Sequence, residues 1–252
     1  MTNTINKPII KIINNNSIPD LKLFETYSAS RFGSIHDGGY ILTDEIVLIS
    51  DYLISGGIGL NVEFENDVMQ LNKQLKSILI DASISKIKFI FRPLKYLFSN
   101  LFFYYCENTF RFFHVISISF FEKKYLNNKN NISYFLNKYN LTKSKGILKL
   151  DIEGSEWLIL NDIIKNSSSF NAICIEFHNV NSNIHLLNNF IADLKTNDFN
   201  ILSYSVNNAI YFNCDSDVPD IIEISFVLNR FLIDSKILQR RSNDTSNIIF
   251  NF

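Results

Sequence analysis

A chain of 252 residues, 46% hydrophobic and 19% charged, carries enough apolar material for an α/β domain with a substantial core and is not of disordered composition. Its formal net charge of −1 provides no global field for nucleic acid or an anionic membrane. Three widely spaced cysteines, Cys106, Cys174 and Cys214, form neither a disulfide framework nor a C-x-x-C metal site, which fits a reducing, cytoplasmic setting. The first residues lack the apolar core of a signal peptide. The longest apolar stretch, 84–121, is interrupted by Lys86, Lys88, Arg92, Pro93, Lys95, Glu107 and Arg111 and does not read as a membrane span.

Residues 1–35 read as a lead-in segment with a short helix around Asp20 to Ser30, capped by Asp20. In His36-Asp37-Gly38-Gly39-Tyr40 the Asp-Gly step signals a turn, and Ile41-Leu42 begins a short strand. Asp51 to Ser55 reads as the first strand of the main sheet, with Gly56, Gly57 and Gly59 making the turn after it. Glu65 to Leu75 reads as a helix and Ser77 to Asp81 as the second strand. Strand, glycine turn, helix, strand, acid is the order of a Rossmann-type cofactor half-site. The acid, Asp81, follows the glycines by about 20 residues and is placed to bind ribose hydroxyls; a helix N-cap is the simpler role for it, with Ser83 and Ser85 after it.

The stretch 84–121 mixes cations with aromatics and reads as an insertion. One or two amphipathic helices packed on the sheet, partly serving as a lid over the acceptor, fit it best; a membrane-surface patch or a stacking platform are the other readings. Within it, Val115 to Phe120 alternates as a strand does. Asn131 to Tyr139 reads as a helix, Gly146 to Asp151 as a strand, Glu156 to Lys165 as a helix, Ala172 to Phe177 as a strand and Leu186 to Lys195 as a helix. Asn200 to Val206 and Ile221 to Leu228 are the last strands. The alternation predicts the α/β class: one domain over 1–252, with a mostly parallel, doubly wound sheet and helices on both faces.

The densest chemistry lies in Leu148-Lys149-Leu150-Asp151-Ile152-Glu153-Gly154-Ser155-Glu156-Trp157. A strand here delivers Asp151 and Glu153 to its carboxyl end, where open α/β sheets bind their ligands. The two carboxylates could hold a divalent metal, orient an acceptor or serve as base. As hard oxygen ligands they suit magnesium or calcium better than zinc. Glu176 and His178 end the next strand on one face and could complete such a cluster. His178, titrating near neutrality if unperturbed, is the candidate general base. Glu156 reads as a carboxylate that favours a helix dipole.

Four blocks together resemble the FkbM-type family of S-adenosylmethionine-dependent methyltransferases. They are Arg31-Phe32-Gly33 with Asp37-Gly38-Gly39-Tyr40-Ile41-Leu42; Ser55-Gly56-Gly57-Ile58-Gly59 with Phe64-Glu65-Asn66-Asp67; Leu148 to Trp157; and Ile175-Glu176-Phe177-His178. Asn207-Asn208, with Pro219 to Phe226 after it, is a weaker fifth. The resemblance implies a Rossmann-like class I methyltransferase fold and methyl transfer, usually to oxygen, with a sugar hydroxyl of a surface polysaccharide or glycoconjugate as the plausible acceptor. It assigns the cofactor S-adenosylmethionine to Asp37, Gly38, Gly39, Gly56, Gly57, Gly59, Glu65 and Asp81, and the catalytic work to His178, Asp151 and Glu153. Two places depart from the family pattern: Ala82-Ser83-Ile84-Ser85 after Asp81, and Tyr204-Ser205-Val206 where a histidine is expected.

The rival readings are a methyltransferase of a secondary metabolite or of a nitrogen acceptor, and a non-catalytic binding module of the same fold. The partner expected is a small molecule or glycan rather than a nucleic acid, without a transmembrane segment, and with peripheral membrane contact left open.

Overall fold

The computed structural model describes residues 29–34, 38–84, 97, 102–206 and 219–233. Two antiparallel strands, β1 (Ala29–Phe32) and β2 (Tyr40–Thr43), lead into helix α1 (Asp44–Ile49), capped by Thr43, whose Oγ1 accepts the Ile46 N–H. Then follow β3 (Tyr52–Gly56), α2 (Glu63–Leu71), β4 (Lys76–Ile80), α3 (Phe102–Ser117) and β5 (Phe120–Glu122). The second half runs through α4 (Ile132–Lys138), β6 (Gly146–Leu150), a 3-10 turn (Ser155–Leu158), α5 (Leu160–Lys165) and β7 (Phe170–His178). It continues with α6 (Val180–Thr196), β8 (Phe199–Val206), β9 (Ile221–Leu228) and the short α7 (Arg230–Ile233).

Seven strands form the main sheet in the order β5-β4-β3-β6-β7-β9-β8. All run parallel except β9, which is antiparallel to both β7 and β8. The chain winds outward from β3 through β4 to β5, then returns to the other side of β3 with β6 and β7. The direction of winding therefore reverses between β3 and β6, and the crevice outside their carboxyl ends is where such a sheet binds ligand. This is a Rossmann-like, mostly parallel arrangement with helices packed on the sheet.

Strands covered on both faces read as near-continuous apolar runs, and β3, β6, β7 and β9 are buried throughout. The register nevertheless lines up a polar row across them. Ser55 pairs with Lys149, Lys149 with Cys174, Cys174 with Ser225, and Ser225 with Ser203. Two residues further along β7, β9 and β8, on the same face, Glu176 pairs with Glu223 and Glu223 with Ser205. Strand β2 covers this strip, and the Gly38 N–H donates to Glu223 Oε1 at 3.0 Å.

Three expectations shift. The alternation over 115–120 spans two elements: Val115 belongs to α3, and the strand begins at Phe120. Phe112 and Val115 share a helical stripe packed with Ile58, Val62 and Leu79, and burying that stripe outweighs the local alternation. The helix expected over 65–75 begins at Glu63 and stops at Leu71, where the Asn72 side-chain amide donates to the carbonyls of Val47 and Ser50. The helix expected over 156–165 is split into the 3-10 turn and α5, following Glu153 and Gly154 in left-handed conformations (φ 54° and 94°). Of the helix expected over 20–30, Ala29 and Ser30 lie in β1 and the remainder is outside the described residues, as are His36, Asp37, Asn207, Asn208, Cys214 and the basic run Lys86 to Lys95. No helix among the described residues is long and apolar enough to cross a membrane.

Gly57 and Gly59 are both left-handed (φ 72° and 53°), for different reasons. A Cβ on Gly57 would lie 1.5 Å from the Asp151 carbonyl oxygen, whereas one on Gly59 would meet nothing within 4 Å. Gly57→Ala is expected to destabilise by about 3 kcal/mol or more, and Gly59→Ala by only about 1–2 kcal/mol from backbone strain. Urea denaturation of the two variants checks this; equal losses would contradict it.

Candidate active site

A cleft of about 290 Å³ opens at the carboxyl ends of β3, β4 and β6. Gly57, Gly59, Asp81, Lys149, Asp151 and Glu153 line it, with Gly38, Lys124 and Tyr125 also on its walls. The glycine turn and the acid of the second strand meet at its rim: the Gly59 N–H donates to Asp81 Oδ2 at 2.9 Å. The other carboxylate oxygen, Oδ1, accepts from the Ser83 N–H, the Ser83 hydroxyl and the Ile84 N–H. Asp81 therefore caps the turn after β4 and faces the cleft at once. Its Oδ2 retains a lone pair beyond the Gly59 bond.

Of the other cofactor candidates, Gly38 and Gly57 line the cleft. Gly56, packed against Leu126 and Leu150, and Gly39, packed against Ser34 and Arg31, are not among the residues that line it. Glu65 is fully buried behind the wall, its Oε1 accepting the Ser55 hydroxyl. Burial raises its pKa, opposed by the charge of Lys149 and the Ser55 bond. Glu65 thus belongs to the polar row rather than to the cleft lining.

Lys149 is 3% exposed, and its Nζ lies 3.4 Å from the Gly57 carbonyl and 3.8 Å from Asp151 Oδ2. Burial works against its charge, but Asp151, Glu65, Glu176 and Glu223 outweigh it and raise its pKa above the usual lysine value. The cation thus ties the end of β3 to the end of β6. The Asp151 N–H, donating to the Gly56 carbonyl at 3.0 Å, makes a second tie.

His178 ends β7 beside Asp151 and Glu153. Its Nε2 stands 3.5 Å from Glu153 Oε2, 3.8 Å from Glu176 Oε1 and 4.0 Å from Asp151 Oδ1. Its Nδ1 faces Glu156 Oε1 at 3.3 Å. Burial disfavours the imidazolium, but the hydrogen bond and charge of Glu156, then the charges of Glu176 and Asp151, prevail and lift the pKa to about 9. An imidazole held toward its protonated form is a weaker proton acceptor than an unperturbed one.

Glu156 lies in the first turn of the 3-10 helix, as expected, and is also fully buried, accepting the Gly154 N–H at 2.8 Å and the His178 N–H at 2.7 Å. It clamps the turn after β6 to the end of β7, as does the Trp157 indole N–H, which donates to the His178 carbonyl at 2.8 Å.

Lys149, Glu156, Glu223 and Tyr40 were missed as site residues by sequence reasoning. Lys149 and Glu223 are each the one charged residue of a buried, mostly apolar strand, and a charge in that position is the signal that could have found them. Tyr40 is buried over the strip, with burial and then Glu223 and Asp151 raising its phenol pKa.

No family model matches the sequence, and no curated protein matches it. Among solved structures, the chain is similar to one in the fibrillarin/Nop5p complex (9% identity, covering 79% of this chain and 91% of that one, TM-score 0.39). It is likewise similar to a putative tRNA (m1A22) methyltransferase of Streptococcus pneumoniae in complex with S-adenosyl-L-methionine (9% identity, 73% and 69% covered, TM-score 0.38). A third is precorrin-6y C5,15-methyltransferase of Geobacter metallireducens (7% identity, 88% and 100% covered, TM-score 0.38). These are distant likenesses of chain path, and the chemistry of the site stands on its own residues.

The imidazole environment predicts a pH dependence. Because the His178 pKa is raised above its ordinary value, its stabilising contribution is fully present below about pH 6.5 and lost as pH rises through about 9. Histidine NMR of metal-free protein, alongside denaturation at several pH values, checks this; titration near 6.5 would contradict it.

Proposed function

We propose that the chain is an S-adenosylmethionine-dependent methyltransferase of the FkbM type, transferring a methyl group to a hydroxyl oxygen of a sugar. The observation that carries this reading is the rim of the cleft. The glycine turn after β3 is hydrogen-bonded through Gly59 to the acid after β4, and the carboxylates after β6 lie on the same cleft. The fit to the cofactor rests on three features. Gly59 has open space beyond its Cα, Asp81 Oδ2 has acceptor capacity left for ribose hydroxyls, and Asp151 and Glu153 supply negative charge for a cationic group.

In this reading Asp81 and the turn Gly57 to Gly59 hold S-adenosylmethionine, which supplies a methyl group already activated on a sulfonium. The protein's own work is alignment of the acceptor oxygen and removal of its proton. Without a bound metal ion, His178 is held toward its cationic form and the proton acceptor is a carboxylate. Glu153, whose side chain is 86% exposed, takes that role, and Asp151 beneath it orients the acceptor hydroxyl. Tyr125, exposed at the cleft wall, is the kind of aromatic residue on which a sugar ring packs, and this supports a glycan acceptor over a small aliphatic one.

Calorimetric titration with S-adenosylmethionine and S-adenosylhomocysteine tests the reading. Wild-type protein is expected to bind both. Asp81→Asn keeps an acceptor for the turn but loses the charge, and should weaken binding by about tenfold or more. Well-folded protein that binds neither compound would remove the methyltransferase reading.

A further inference from the structure

We propose that Asp151, Glu153 and His178 form a site for one divalent cation of the manganese or magnesium class, at the acceptor end of the cleft. One ligand atom from each residue lies within 4.8 Å of the other two. The Nε2 distances of 3.5 Å to Glu153 and 4.0 Å to Asp151 exceed a hydrogen bond. They match ligands sharing one ion, which lie about 3.0 Å apart when adjacent and up to about 4.3 Å when opposed.

The independent observation is the support behind His178. The residue is 8% exposed, its Nδ1 is engaged by the buried Glu156, and Nε2 is thereby directed into the carboxylate cluster. A carboxylate behind the imidazole is the second layer that orients metal-ligating histidines. Charge points the same way. Three carboxylates (Asp151, Glu153 and Glu156) surround a single imidazole, with Lys149 the one further cation in ion-pair range among the described residues. Such an excess in a partly buried site favours a bound cation. On binding, the ion takes the place of the Nε2 proton, which is released to solvent. Two carboxylates and one imidazole fit manganese well, and the high exposure of Glu153 leaves positions for water or an acceptor oxygen. Glu176 stands outside the three-residue group as a neighbouring charge.

The test is titration of the full chain with Mn2+, without S-adenosylmethionine, followed by electron paramagnetic resonance and calorimetry. One site is expected, with an imidazole nitrogen coupling in the pulsed spectrum that disappears in His178→Asn. Asp151→Asn should weaken binding by about tenfold or more. Glu153→Gly should do the same while keeping or raising Tm, because glycine relieves the left-handed backbone at that position (φ 54°). Folded wild-type protein that takes up no Mn2+, or binding unchanged in both Asp151→Asn and Glu153→Gly, would overturn the proposal. The two readings fail separately: S-adenosylhomocysteine binding in the presence of chelator, with no Mn2+ site, removes the metal alone.

Discussion

A lysine in the middle of a fully buried strand is the constraint on which the site depends. Lys149 is almost wholly buried, at the inner wall of the cleft, and the carboxylates around it favour its charge against the cost of burial. Removing one partner from a buried ion pair typically costs about 3–5 kcal/mol, since the other charge is left stranded. The partners come from several elements: Asp151 beyond its own strand, Glu65 from α2, Glu176 from β7 and Glu223 from β9. One cation thus holds strands and helix in a single electrostatic unit. Its contacts with the Gly57 carbonyl and Asp151 lie where the sheet reverses its winding.

From that anchor the cleft follows with few further demands. Gly57 presses against the Asp151 carbonyl, so β3 and β6 leave the sheet in close contact. The chain beyond it turns left-handed at Gly59 and closes on Asp81. On the far side, Glu156 binds both the turn after β6 and the end of β7, setting His178 against the acidic cluster. Strand β2 lies over the polar strip, with Gly38 bonded to Glu223 and the Ser205 hydroxyl donating to the same carboxylate. The buried charged groups of β6, β7 and β9 therefore share one strip with the hydroxyls paired to them, beside the carboxylates of the cleft.

The fold was largely legible because its strands are short apolar runs separated by helical patterns and glycine turns. The runs from Asp51, Ser77, Gly146, Ala172, Asn200 and Ile221 all lie in strands of the main sheet. The pattern failed where two elements abut, as at Val115 to Phe120, and where a side chain ended a helix early, as at Asn72. The candidate site was legible in its chain-local half: Asp81, Asp151, Glu153 and His178 each stand at the end of a strand, and spacing alone brings them forward. The half that was missed depends on register between distant strands. Nothing local says that Lys149 lies opposite Ser55 and Cys174, or that Glu176 lies opposite Glu223. Nor does spacing show that Glu156 folds back under His178 rather than facing solvent on a helix.

The account's central claim is that this cleft, and no other surface of the chain, receives the cofactor. A crystal structure grown with S-adenosylhomocysteine tests that most directly. The account predicts the ribose hydroxyls on Asp81, the adjoining chain of the ligand along Gly57 to Gly59, and Asp151 facing the sulfur end. Ligand bound elsewhere, with the rim between Gly59 and Asp81 untouched, would contradict it.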